Sequence, residues 1–178
     1  MMKNKVFQKN SSKKFVVLFV CTGNSCRSPM AKGIFDKCCE QLLSKNSRIK
    51  IVSYSCGTNT TEGQTPSPFA INAVAKYDVD IRHHLSAPIS KSRIKMADLI
   101  LTMEQKHKEK VIELVPEAKE RTFLLTEYAT GKLEEISDPF QKSYDDYRKV
   151  AGQLYKLLKK ASKKIYKRLK AITSGGKI

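Results

Sequence analysis

The sequence predicts an α/β fold: a three-layer sandwich in which helices cover both faces of a four-stranded parallel sheet. Three observations predict it. Short apolar runs rich in β-branched residues alternate with segments of helical periodicity, which is the pattern of a parallel sheet buried on both sides. The runs are apolar throughout rather than alternating, as strands buried on both faces are. The length, 178 residues, suits one compact core, and neither a repeat nor a linker divides it.

The elements follow in order. The segment FVVLFV, 15–20, is the first buried strand. It leads through CTGNSCRS to Pro29, a residue suited to the first turn of a helix, and PMAKGIFDKCCEQLL keeps helical spacing to about Ser44. RIKIVSYS, 48–55, is the second strand and stops at Cys56-Gly57. A Gly/Pro/Ser/Thr-rich connection precedes a helix over 67–77. ADLILTM, 97–103, is the third strand and is followed by a charged helix over 104–114. Residues 121–125 form a short fourth strand, 131–143 a loop, and a long basic helix runs to about Lys170. The domain therefore spans 15–172, between a basic disordered extension, 1–14, and a flexible tail, 173–178.

Composition narrows the function classes. Apolar residues make up 40% and charged residues 29%, a globular balance. The formal net charge is +17, and no acidic residue follows Arg148. Such a field draws anionic partners, although a solvated basic face is the plainer reading, and the C-terminal helix is expected to attract polyanions only weakly. No apolar run reaches the length of a membrane span, so stable membrane insertion is not expected. The polar, basic N-terminus lacks the apolar stretch of a secretory signal. Five cysteines without framework spacing suit a reducing compartment, so the expected location is cytoplasmic. No metal or cofactor is implied, and the expected assembly is a monomer or a weak homodimer.

The chemistry lies in Cys21-Thr22-Gly23-Asn24-Ser25-Cys26-Arg27-Ser28, placed between a buried strand and a helix N-terminus. Successive backbone N–H groups in such a loop form an anion nest, and the helix dipole adds partial positive charge. Gly23 eases a tight turn. The planar fork of Arg27 suits two equatorial phosphate oxygens and the charge that spreads over them in the transition state. This positive setting is expected to lower the pKa of Cys21 and supply a thiolate nucleophile. Ser28 can donate to that sulfur and ease its departure. A leaving group needs a proton, and Asp138, in Ser-Asp-Pro-Phe, is the candidate acid. Pro139 keeps Asp138 extended and so aims its carboxylate. Alone, Asp-Pro would read as a turn; the loop at Cys21 gives it a role.

Together VLFVCTGNSCRSPMA, Ser55-Cys56-Gly57-Thr58, ADLILTM and SDPF resemble the low-molecular-weight protein-tyrosine-phosphatase family over nearly the whole chain. The resemblance implies a protein phosphatase acting through a thiophosphate intermediate, with phosphorylated proteins as substrates. It assigns Cys21 as nucleophile, Arg27 as phosphate ligand and Asp138 as general acid. It also implies that Asn24 holds the loop through a network reaching Ser55 and His84. Cys26 resembles the family's cysteine that forms a reversible disulfide with the nucleophile; a small buried filler is the simpler alternative. Thr-Gly-Asn-x-Cys-Arg-Ser-Pro-Met, LILTMEQKHK and TFLLTEYATG resemble the bacterial protein-arginine-phosphatase branch in particular. That branch carries Thr where this chain has Ser25, and many tyrosine-directed members carry Ile or Val. A hydroxyl there suits a guanidino group, while Phe140 would wall a slot for either a phenyl ring or a guanidinium. Gln141-Lys142 departs from the glycines usual after that Phe.

Two other readings compete. Arsenate reductases share the scaffold and resemble CTGNSCRS, but need resolving cysteines that the stretch 101–110 lacks, and Cys38 and Cys39 are adjacent on a helix and face different ways. A non-catalytic module binding phosphoproteins or nucleic acid would have no use for the proton donor Asp138.

Overall fold

The computed structural model describes residues 14–43, 47 and 49–173, so most of the expected extension and tail lie outside the described residues. Lys14 and Thr173, assigned to those ends from sequence, belong instead to the first strand and the last helix.

Four parallel strands form one sheet in the order β2-β1-β3-β4: β1 Lys14–Cys21, β2 Lys50–Gly57, β3 Leu99–Thr102 and β4 Thr122–Leu124. Among the described residues six helices cover it: α1 Arg27–Leu42, α2 Pro68–Ala75, α3 Lys91–Met96, α4 Gln105–Leu114, α5 Leu125–Thr130 and α6 Tyr144–Thr173. A 3₁₀ turn over Pro116–Arg121 enters β4.

The two-residue period of β1 sorts its side chains into two cores. Val17 and Phe19 pack with Met30, Ile34 and Phe35 of α1 and with Leu154 and Leu158 of α6. Leu18 and Val20 face the other way, toward Ile94 of α3 and Val111 of α4. Burying a Leu or Phe side chain in this way stabilises by about 1.5–3 kcal/mol each. Helix α6 supplies the long outer wall: its apolar stripe is buried, and its lysines face outward, as expected of a basic helix packed on the sheet.

Several boundaries differ from expectation. Strand β2 starts at Lys50, because its register pairs Lys14 with Lys50 and Cys21 with Gly57, carrying the ladder through Cys56-Gly57. Helix α1 begins two residues before Pro29, at Arg27, so that Arg27 and Ser28 belong to its first turn. Two short helices were hidden in the sequence. Helix α3 has six residues, too few to display a period, and is started by Ser90, whose hydroxyl accepts from the Arg93 N–H. Helix α5 follows β4 without a break and stops at Gly131, left-handed at φ 78°.

Candidate active site

All four strands are parallel, so their C-terminal ends share one edge of the sheet, where open α/β sheets place their ligands. Strand β1 ends at Cys21, and residues 22–26 loop into α1. The loop is tied to β2 beyond the regular ladder: Thr58 N–H donates to Cys21 O at 2.9 Å and Asn59 N–H to Thr22 O at 3.0 Å. Gly57 makes that approach possible, since a Cβ there would lie 2.5 Å from Thr22 O.

Asn24 organises the loop. It is fully buried and held at φ 51°, a left-handed conformation that Asn tolerates better than most residues. Its Nδ2 donates to Ser28 Oγ at 2.8 Å and to Ser55 Oγ at 3.0 Å, and its Oδ1 accepts from Ala87 N–H at 2.9 Å. Its carbonyl accepts from His84 Nε2 at 2.9 Å, which fixes the proton on that nitrogen. Burial, with Lys32 adding to it, lowers the His84 pKa, while the bond to Asn24 opposes the shift. Ser28 Oγ, which accepts from Asn24, lies 2.9 Å from Cys21 Sγ, so its hydroxyl can donate to the sulfur as a thiolate or accept from it as a thiol. The Asn24 N–H also reaches Sγ, at 3.3 Å.

Arg27 is 1% exposed and pinned on three sides. Nη1 donates to Glu104 and to Ile136 O, the latter at 3.0 Å, while Nη2 donates to Asp138. Burial pushes the Glu104 carboxyl up, but Lys106 and Arg27 outweigh it and hold it below the ordinary range. Glu104 N–H donates to His107 Nδ1 at 3.1 Å, so the other ring nitrogen carries the proton and donates to Thr22 Oγ1 at 2.9 Å. Burial lowers the pKa of His107 to about 4, in keeping with this neutral tautomer.

Burial of the thiol overturns one expectation. The pKa of Cys21 is raised, not lowered: burial pushes the thiol up, and the Ser28 hydroxyl, the charge of Arg27 and the N–H groups of Ser28 and Asn24 only partly offset it. The positive charge that sequence assigned to the thiol is shared with two carboxylates, which the sequence did not place beside Arg27.

Above the thiol lies a pocket of about 320 Å³, lined by Cys21, Thr22, Gly23, Ser25, Cys26, Arg27, Asn59, Gln64, Asp138 and Phe140. Phe140 stands at its mouth, 60% exposed. Beside it, Phe69 packs against Tyr144 and Tyr147, both with ring centroids at 5.6 Å. The Tyr147 hydroxyl lies 3.3 Å from Cys26 Sγ, and both cysteines of the loop are free thiols. The loop after Asp138 closes as a turn in which Lys142 N–H donates to Pro139 O at 3.0 Å, with Gln141 at φ 59°. Gln141 thus adopts the backbone that a glycine would adopt without strain.

Every site residue expected of the phosphatase reading is therefore gathered at this edge: the loop of residues 21–28, Asp138 and Phe140 around the pocket, Ser55 and His84 behind Asn24. Sequence reasoning missed Glu104, His107, Ile136, Asn59 and Gln64. The signal for Glu104 and His107 was available: they follow the strand LILTM, whose C-terminal end had to reach the edge that holds Cys21.

Among the described residues no helix is long and apolar enough to cross a membrane, and no group of three or more His, Cys, Asp or Glu is arranged to hold a metal ion.

Known proteins share this arrangement. The sequence model of the low molecular weight phosphotyrosine protein phosphatases matches residues 16–172. The protein-arginine-phosphatase of Bacillus subtilis is 32% identical over 151 residues, 85% of this chain and 97% of that protein. The low molecular weight protein-tyrosine-phosphatase Wzb of Escherichia coli K12 is 32% identical over 148 residues, 83% of this chain and 90% of Wzb. Among solved structures, the YwlE arginine phosphatase from Geobacillus stearothermophilus superposes with a TM-score of 0.78 at 30% identity, covering 86% of this chain and 94% of that one. A YwlE arginine phosphatase mutant with a phosphorylated active-site serine superposes at 0.77 and 29% identity, covering 86% and 97%. This chain is a cysteine-dependent protein phosphatase and belongs to the low molecular weight phosphotyrosine protein phosphatase family.

Proposed function

We infer that Cys21, Arg27 and Asp138 carry the reaction, and that phosphoarginine in proteins is the preferred substrate. The observation that supports the residue roles is the convergence of all three on one 320 Å³ pocket, with Arg27 bonded to Asp138. An incoming phosphate displaces the Asp138 carboxylate from Nη2 and takes the loop N–H groups and the guanidinium as its ligands. Once freed from Nη2, Asp138 takes up the proton that the Cys21 thiol gives up, and Cys21 attacks as the thiolate, held by Ser28 Oγ and the Asn24 N–H. The S–P bond forms as the P–O or P–N bond breaks, and Asp138 gives its proton to the departing group. In the second step water attacks phosphorus, Asp138 takes the water proton, and the sulfur leaves as a thiolate stabilised by Ser28.

Ser25 supports the substrate class. It lines the pocket with a small hydroxyl, which leaves room for a guanidino group beside the phosphorus and offers it a hydrogen-bond partner. The relatives support the arginine-phosphatase-like branch, two protein-arginine-phosphatases being 32% identical, although the tyrosine phosphatase Wzb reaches the same identity over slightly less of each chain. Phosphotyrosine is the second reading, favoured by the exposed ring of Phe140 at the pocket mouth. Phosphate release from matched phosphoarginine and phosphotyrosine peptides, with Cys21→Ser as control, tests both readings. A higher kcat/KM on phosphoarginine supports the first. A higher value on phosphotyrosine replaces it with the second, and release equal to the control removes the enzymatic roles altogether.

Five free thiols support a reducing, cytoplasmic setting. Cys26, reduced and beside Tyr147, is the partner for a protective disulfide with Cys21 under oxidants. The outward lysines of α6 attract polyanions weakly, and the protein acts as a monomer or weak dimer.

A further inference from the structure

A second pocket, of about 370 Å³, lies on the far side of the catalytic loop, within the size range of small-molecule sites. Its rim carries Tyr54, Leu85 and Met96, which are 49%, 59% and 54% exposed. Large apolar side chains exposed together around one concavity mark a surface that gains by being covered. Its charged groups are Lys32 and Arg93, and no carboxylate lines it among the described residues. Lys32 pairs with Asp36 at 2.9 Å and Arg93 with Glu62 at 3.6 Å, both acids standing outside the lining. The pocket therefore combines an apolar body with a cationic margin.

Its inner wall is the machinery that holds Asn24. Ser55, His84 and Ala87 all line this pocket, and each makes a hydrogen bond to Asn24. Apart from the bond to Ser28, every partner of the Asn24 side chain and carbonyl is thus part of the second pocket. Asn24 sits in a left-handed conformation that persists because these bonds over-determine it. Its N–H in turn reaches Cys21 Sγ.

We propose that this pocket is an effector site for a small organic anion with a flat apolar body, and that its occupation tightens phosphate binding in the catalytic loop through Ser55, His84, Ala87 and Asn24. A ligand packed under Leu85 and Tyr54 restricts the segment 84–87 that grips Asn24. Rigidifying that segment before phosphate arrives spares the phosphate part of the ordering cost, which gives positive coupling. The coupling is reciprocal, so phosphate tightens the effector by the same factor. Only this coupling, and not the pocket's ligand class, rests on the catalytic reading of the loop.

The test is calorimetric titration of the full chain with 2-naphthoate, with and without saturating inorganic phosphate, beside the neutral 2-naphthylmethanol. The expected result is one site for naphthoate, tightened roughly fivefold by phosphate, which is within the ordinary range of allosteric coupling. The neutral analogue binds at least tenfold more weakly. Met96→Glu, on the exposed rim, weakens naphthoate tenfold or more and leaves phosphate affinity unchanged; Arg93→Gln supplies a second variant that removes charge without adding a clash. Absence of saturable binding, equal affinity for the neutral analogue, indifference to both substitutions, or mutual exclusion of naphthoate and phosphate overturns the proposal. Failure of the phosphatase reading shows separately, as peptides left intact by an enzyme that still binds naphthoate.

Discussion

Arg27 and Asp138 are bonded to each other, guanidinium Nη2 to carboxylate Oδ2, although the proposed reaction needs both on the substrate. Glu104 and Ile136 O occupy Nη1, so Nη2 is the arm that phosphate has to win. The resting site is thus self-complementary: a carboxylate stands in for the phosphate, and the same carboxylate is released where the leaving group will depart.

Asp138→Asn separates these two roles. It is expected to lower kcat on phosphopeptides by roughly 10²–10⁴, the span of general acid catalysis, with a smaller loss on a good leaving group such as p-nitrophenolate. Inorganic phosphate, no longer competing with a charged carboxylate for Arg27, should inhibit the variant several-fold more tightly, and the inhibition constant measures that. Weaker inhibition by phosphate than in the wild type removes the idea of competition.

The same substitution frees positive charge for the thiol. Iodoacetamide should alkylate wild-type Cys21 slowly at neutral pH, because burial raises the thiol pKa. Asp138→Asn should react several-fold faster, with the Cys21 adduct followed by mass spectrometry. Equal rates would mean that Asp138 withholds nothing from the sulfur.

Glu104→Gln leaves the buried Arg27 with one charged partner fewer. A loss of about 1–3 kcal/mol is expected for an under-satisfied buried polar group, read as a fall in Tm of roughly 3–10 °C. kcat/KM should fall as well, since Arg27 loses the anchor that fixes its fork. An unchanged Tm with normal kinetics would show that Ile136 O and Asp138 suffice.

His107 makes stability depend on pH in a definite direction. Its pKa falls from the ordinary value near 6.5 in the unfolded chain to about 4 in the folded one. The unfolded state therefore binds the proton first, and stability contributed by neutral His107 is full above 6.5 and lost as pH falls toward 4. Thermal melts at pH 7 and pH 5 should show a larger drop for the wild type than for His107→Gln. Equal drops would place the acid sensitivity elsewhere.

Ser25→Ile replaces the hydroxyl on the pocket wall with a branched alkyl group. Activity on phosphoarginine peptides should fall tenfold or more, since a group that hydrogen-bonds the substrate is lost and space is filled. Activity on phosphotyrosine peptides should be retained. Parallel losses on both peptides would mean that Ser25 shapes the loop and does not choose the substrate.

How far the sequence reached depended on distance along the chain. The loop from Cys21 to Ser28 was legible because eight consecutive residues carry its chemistry, and strands β1 and β3 because their apolar runs are buried on both faces. Asp138, 111 residues away, was legible only through its Asp-Pro motif, whereas the other partners of Arg27 were not: Glu104 is 77 residues away and Ile136 is 109, and Ile136 contributes only a backbone carbonyl, which no side chain advertises. The direction of the Cys21 shift was misjudged because it turns on how deeply the fold buries the thiol, which the loop's own residues do not reveal. Gln141 was legible as a departure from glycine, but its φ of 59° was not.

The two hydrogen bonds that carry the β1–β2 ladder past Cys21, from Thr58 and Asn59, have a consequence for affinity. They bind Cys21 and Thr22, the first residues of the loop, to the sheet itself, so these two cannot come loose without unzipping the strand that feeds them. The amides of Thr58 and Asn59 should accordingly exchange with solvent as slowly as those of the central strands, whether or not phosphate is present. The start of the loop is thus ordered by the same cooperative event as the sheet, so the ordering that an anion still has to bring about is confined to the residues beyond Thr22, around Asn24.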